Sequence, residues 1–339
     1  MATRTGTLLR VATSLGGIAL SVMLIRRLGA DNLLSQLWNV GTGIIWLMLA
    51  YAAGTSVSAL PWHWLLPRQA RPPLPAVFSS RFAAAGVNAI LPFLGIGGEP
   101  CRLLWLPPQE RRPGLAALVV DRALFSVASG LFLSLGLLAA WSTAISPIFI
   151  WIGLATVLCA FVLAAAIAWA GVRRKVATPI SRLLQRLRFR GGGETGTAGE
   201  EIDLAMANLF RKSRQTLLAG TAVHIAGRLL LAAEVYAGLR VLHFRPTACT
   251  VMVIASVPIA LSIAGALVPS QIGLQEGAQF LVFRALGIDP TIGMSLVLLQ
   301  RIRQVAFVSL AMLLLGSARS GRGRSVASKV DDNRSRPNS

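Results

Sequence analysis

Apolar residues run almost unbroken for about 20 positions at a time along most of this chain, at residues 9–25, 41–60, 115–140, 147–171, 216–240 and 293–316. A helix of that length crosses the ~30 Å hydrocarbon layer of a bilayer, so the pattern predicts six full transmembrane helices. Two further apolar regions, 77–106 and 250–287, are interrupted near their middles by glycine and proline. The pieces of the first, 77–91 and 93–106, are too short to cross alone, and such pieces favour re-entrant pairs of half-helices. The fold class expected is an all-α polytopic membrane protein with six full transmembrane helices and two re-entrant broken-helix hairpins.

The polar positions between the runs supply an orientation. Segment 172–214 holds ten Lys or Arg and the tail after 318 holds six more, whereas WSTAISP (141–147) holds none. Basic loops face the cytoplasm, which puts 172–214, both termini, 61–76 (with Arg68 and Arg71) and 107–114 (with Arg111 and Arg112) on that side. Hairpin 77–106 then enters and leaves from the cytoplasm, and hairpin 250–287 from outside. Arg26, Arg27, Arg240 and Arg245 run against this bias. Within the basic loop, ISRLLQRLRFR (180–190) carries Ile180, Leu183, Leu184 and Leu187 on one helical stripe, the pattern either of a helix lying on an anionic leaflet or of a solvated loop helix. GGGETGTAGEE (191–201) lacks the ending of a phosphate-binding loop and reads as a flexible linker. The polar tail, 317–339, is expected to be disordered.

Composition narrows the classes. Of 339 residues 54% are hydrophobic and 14% charged, with a net charge of +20 that comes mainly from arginine. That excess lies in loops and tails beside apolar spans and no nucleic-acid motif accompanies it, so it points to anionic lipid headgroups rather than nucleic acid. Cys101, Cys159 and Cys249 are isolated from one another, which argues against disulfides and metal sites. No Ser/His/Asp grouping, H-E-x-x-H or nucleotide loop is visible, so neither an enzyme nor a cofactor is expected. The N-terminus begins like a signal peptide but lacks a cleavage site, and reads as an uncleaved first span.

The two interrupted regions match each other. In LPFLGIGGEPCRLL (91–104) Pro92 precedes Glu99 by seven residues, and in VPSQIGLQEGAQFL (268–281) Pro269 precedes Glu276 by seven. Glycine lies between the proline and the glutamate in each, Gly97 and Gly98 among them in one and Gly273 in the other. A charged patch opens the following span in both, with Asp121 and Arg122 in VVDRALF and Arg301 in LLQRIRQ. The chain therefore divides into repeats 1–140 and 141–316. Three full crossings per repeat make the second inverted, the architecture of secondary transporters.

Candidate site residues follow from the cost of polar groups at membrane depth. Pro92, Pro269 and the glycines release backbone groups and let the chain turn. Glu99, ahead of Pro100, either caps a half-helix and pairs with Arg102 or Arg122, or carries a proton; Glu276 poses the same choice. Asp121, Arg122 and Arg301 are either interfacial or line a cavity where arginine holds phosphate at two points. Asn88 either satisfies the broken backbone or meets a headgroup. His224, Arg228 and Glu234 are either a packed polar network or part of a path.

GVNAILPFLGIGGEPCRLL with VVDRALF, and LVPSQIGLQEGAQFLVFRALG with LLQRIRQ, resemble the lysylphosphatidylglycerol synthase transmembrane-region family, also called flippase-like. The resemblance extends to about residue 316, and SALPWHWLL, GVNAILP, VVD and LQEGA look most like the subgroup encoded with hopanoid biosynthesis. It implies a lipid-moving domain of the bacterial inner membrane, with membrane lipids and lipid-biosynthesis proteins as partners. In bifunctional relatives an aminoacyl-transferase domain follows; only a basic tail of about 20 residues follows here, so a stand-alone member without synthase activity is expected. An accessory subunit and an intramembrane lipid-modifying enzyme are the alternatives. Gln275, Gln279 and Gln300 depart from the first motif and make the two half-sites unequal.

Overall fold

In the computed structural model, residues 40–90, 97–142, 147–173, 195–212, 214–264 and 273–334 are described. Among them every regular element is helical. In chain order the α-helices are α1 (Ile44–Val57), α2 (Leu60–Leu65), α3 (Leu74–Ile90), α4 (Arg111–Trp141), α5 (Pro147–Val172), α6 (Thr195–Lys212), α7 (Arg214–Val241), α8 (Ala248–Ala264), α9 (Leu274–Ala285) and α10 (Pro290–Arg334). Segments Gly41–Leu65, Pro108–Trp141, Ile150–Trp169, Arg214–Val241 and Pro290–Gly316 are long and apolar enough to cross a membrane. They coincide with five of the six expected spans. The remaining one, 9–25, lies outside the described residues, as do the amphipathic stretch 180–190, Pro92 and Pro269.

Helix α4 is the hub, packed against α5, α6, α7 and α8. Its most apolar stretch is 56% buried, against 17% for that of α5. The sequence explains the contrast: α4 presents Gly114, Ala116, Ala117, Ala123, Ala128 and Gly130 to its neighbours, whereas α5 turns Trp151, Ile152, Leu158 and Val162 outward. Large apolar side chains left exposed on a membrane helix face lipid. Trp46, Trp141 and Trp151 near one end and Trp169 near the other are exposed too, as tryptophans at the two interfaces are.

Helices α1 and α7 cross antiparallel along small residues. A Cβ on Gly43 meets Val241, one on Gly238 meets Leu47, one on Gly54 lies 3.0 Å from the Gly227 carbonyl, and one on Gly220 reaches Pro61. Contact positions thus ascend on one helix as they descend on the other. In the division expected from the sequence, each is the second span of its unit.

The loops gather at two ends. Trp62, Leu66, Val77, Leu106, Ala116 and Met206 share one apolar cluster, which joins the three segments with basic loops. Ala140, Leu239, Val251 and Phe283, with Leu242, Leu286 and Ile288 against them, form another. Val77 and Leu106 bracket the first interrupted region, and Val251 and Phe283 bracket the second. Each region therefore starts and finishes in one cluster, and the two use different clusters.

Three details depart from the sequence reading. The second arm of the first hairpin is a 3-10 segment, Glu99–Trp105, rather than an α half-helix; Pro100 near its start and Pro107 after it leave little room for α-helical bonding. The supposed linker 191–201 gives way at Thr195 to α6, whose Ile202, Met206, Leu209 and Phe210 lie on the first cluster. A bond from Arg112 to Glu201 (2.8 Å) fastens it there. Finally, the backbone of α10 is helical to Arg334, through the polar stretch expected to lack structure.

Candidate functional site

The break in the first hairpin is closed by Asn88, whose Oδ1 accepts the Gly98 N–H at 2.6 Å. Of the two roles open to Asn88, satisfying the broken backbone is the one observed. The return arm lies so close to α3 that a Cβ on Gly98 would stand 2.1 Å from the Ala84 carbonyl oxygen, so only glycine fits. Gly97, beside it, is half-buried.

This fold-back delivers Glu99 to a buried ionic cluster. One carboxylate oxygen accepts from Arg81 of α3, the other from Arg102 at 3.2 Å. Arg102, fully buried, also donates to Asp121 at 3.1 Å, approaches the Ala59 carbonyl and lies over the Trp62 ring at 4.4 Å. Asp121 accepts on its other oxygen from His224 Nε2 at 3.0 Å. The chain thus links the hairpin, α2, α4 and α7 through one arginine. Glu99 makes no cap on its own 3-10 segment. With both oxygens engaged by guanidinium groups, it serves the pairing role.

Around Phe125, one turn beyond Asp121 on α4, three further guanidinium carbons lie over one ring: Arg228 at 4.3 Å, Arg122 at 4.9 Å and Arg81 at 5.8 Å. Arg228 donates to Ser129 Oγ at 2.7 Å. Arg81, Arg122, Glu99, Asp121, Phe125 and His224 border a recess with room for about one water.

At the second break, Gly273 has φ +79°, a conformation that favours glycine. Glu276 caps α9: its Oε2 accepts the Gly273 N–H at 2.8 Å, while Oε1 accepts from Arg301 Nε at 3.1 Å. Here the capping alternative is realised. Gln275 donates to Gln300 at 3.2 Å, and Arg301 also reaches Gln304. Glu234 is not part of the His224 and Arg228 group; it pairs with Arg303, which lies over Tyr51 at 4.0 Å.

The structure therefore brings together Asn88, Gly98, Glu99, Arg102, Asp121 and Arg122 in one centre and Gly273, Glu276 and Arg301 in another. Arg81 and Phe125 escaped the sequence reading. A lone arginine in the otherwise apolar stretch PAVFSSRFAAAGVNAI was the available signal for the first. Asp121 lies ten residues into α4 from Arg111 and Arg301 eleven into α10 from Pro290, or about 15 Å along each helix. That is about half the hydrocarbon thickness.

Multiple apolar spans around buried charge define a polytopic α-helical membrane protein. Residues 7–311 match the model of the lysylphosphatidylglycerol synthase TM region, and the chain belongs to that family. Neither the curated proteins nor the solved structures gave a match.

Proposed function

We propose that this chain moves a lipid, or a lipid's headgroup, across or within the bacterial inner membrane by alternating the exposure of two inverted halves, with both termini cytoplasmic and no chemistry on the lipid. The observation that carries the reading is the pair of broken hairpins, each tied at both ends to a different apolar cluster, with a buried charged centre beside each break. Transporters built from inverted repeats keep their sites at broken helices near the midplane. The antiparallel crossing of α1 and α7 supports inversion independently of loop charge: equivalent helices that run in opposite directions are related by an axis in the membrane plane.

Two measurements test this. With the native cysteines replaced, single cysteines at positions 108 and 195 should react with an impermeant reagent only from the cytoplasm, and one at 142 only from outside. Labelling of 142 and 195 from the same side overturns the architecture. In liposomes, the protein should speed the exposure of labelled lipids, hopanoid-related and phospholipid, to an external quencher; rates equal to protein-free vesicles overturn the transport reading.

A further inference from the structure

A cleft of about 270 Å³ lies beside the second hairpin. Helix α4 forms its floor from Leu133 to Ala140, the hairpin arms α8 and α9 form one wall, and α5 forms the other. Two glycines hold the walls to the floor: a Cβ on Gly136 would stand 2.7 Å from Ser256 Oγ of α8, and one on Gly153 of α5 would stand 2.9 Å from a methyl group of Leu137. Between those contacts the arms carry Ala260, Ala278 and Ala285, whose small side chains leave space that leucine would fill. Leu133 to Ala140 on the floor and Ala278 to Ala285 on the wall each span about 10 Å of helix rise. The cleft is thus a slot running along the helices.

The chemistry of the lining decides what enters. Of the side chains around the slot only that of Ser256 is polar, and its hydroxyl donates to the Val253 carbonyl at 2.7 Å. One engaged hydroxyl is too little to receive a charged headgroup, and an extended peptide would bring backbone groups that nothing there satisfies. Water is disfavoured too, since it needs two or more polar partners; an apolar cavity of roughly 150 Å³ stays dry and takes up benzene. The slot exceeds that volume. Ile152 and Leu281 border it and are 53% and 51% exposed, on a surface where large apolar side chains face lipid. The hydrocarbon within reach is therefore the tail of a bilayer lipid, and filling the slot recovers the dispersion contacts that an empty one lacks.

We infer that the slot between α4, α5 and the arms of the second hairpin binds one hydrocarbon tail of a membrane lipid, and that this part of the protein reads the tail and not the headgroup. A tail seated there touches both arms of the hairpin at once, so it braces α8 and α9 against the floor. The inference deepens the lipid-moving reading, on which the tail's role during movement rests: the headgroup passes a break while its tail stays against the hairpin. Binding is measured without transport, so either can fail alone.

The test uses purified, delipidated full-length protein in a short-chain polyether detergent, titrated with dioleoyl phosphatidylcholine, dioleoyl phosphatidylglycerol or dihexanoyl phosphatidylcholine, with bound lipid counted by native mass spectrometry. The first dioleoyl lipid should bind about tenfold more tightly than later ones, equally for the two headgroups, and the dihexanoyl lipid should lack that step. An equimolar phosphatidylcholine carrying a diazirine midway along one acyl chain should, on photolysis, label Val257 and Leu281 about tenfold more than Leu158, which is exposed on α5 outside the slot. Filling the slot with Ala260→Phe and Ala278→Phe together should remove the tight step, and Leu158→Phe should keep it. Unchanged melting temperatures separate lost binding from lost folding, and the wild-type label map decides the question even where the filled variant does not fold. Tail binding by a protein that leaves lipid exchange at the protein-free rate supports the slot and removes the transport reading. A tight step that depends on the headgroup, that persists in the filled variant, or whose label falls on Leu158 as strongly as on Leu281 overturns the inference.

Discussion

Arg102 shows what a single side chain at membrane depth is asked to do. It is fully buried, bridges Glu99 to Asp121 and stacks on Trp62. Its removal takes one of two partners from each of two buried carboxylates, leaving Glu99 with Arg81 and Asp121 with His224, and breaking a buried pair costs about 3–5 kcal/mol. Arg102→Leu should therefore lower the detergent-solubilised melting temperature markedly. Arg102→Lys should recover little of it, because an ammonium cannot offer a planar face to Trp62 and separate donors to two carboxylates. Thermal unfolding followed by tryptophan fluorescence checks both. Glu99, Arg102, Asp121 and Arg122 were legible in the sequence because ionisable residues stand out in apolar runs. Their partners were less so: Arg81 lies 18 positions before Glu99, and only the fold-back set by Asn88 and Gly98 makes them neighbours.

Among elements, the hairpins were legible as interruptions but not as shapes. Proline and glycine announce that a helix breaks, yet whether the return arm is α-helical or 3-10 depends on how closely it lies on the first arm, which is a tertiary matter. Gly98 sets that distance. Gly98→Ala places a methyl group against the backbone of Ala84 rather than against a yielding side chain, so the return arm must move and the Asn88 bond must open. The expected result is a lower melting temperature together with faster cysteine labelling at Cys101, half-buried in the wild type. Helix α6 was missed for the opposite reason. GGGETGTAGEE is rich in glycine and reads as loop, while the apolar spacing of Ile202, Met206, Leu209 and Phe210 just beyond it was the signal that a helix lies there.

For the whole molecule, hydrophobic run lengths foretold the five long apolar helices found among the described residues, because a bilayer restricts spanning backbone to a few forms. The gathering of segments 61–76, 107–114 and the end of 172–214 at one cluster agrees with their common basic character. What run lengths leave out is which helix becomes the hub. Helix α4 owes that place to alanine and glycine where α5 carries leucine, isoleucine and tryptophan, a difference in volume that hydropathy does not register.

The crossing of α1 and α7 carries a mechanical consequence. Where Gly54 meets Gly227, backbone rests on backbone with Leu231 and Ser58 packed beside the two glycines, so the contact that must adjust when the helices turn is small. Such a contact behaves as a smooth axle, stiff against separation but yielding to rotation, and the tightly interleaved α3 and α10, where Gly86 lies against Ala311 and Phe82 stacks on Phe307, would move as a block around it. A disulfide joining cysteines at positions 54 and 227 should fix the axle and stop lipid exchange in liposomes, with the rate restored on reduction. Exchange unaffected by the cross-link would mean that the halves turn elsewhere.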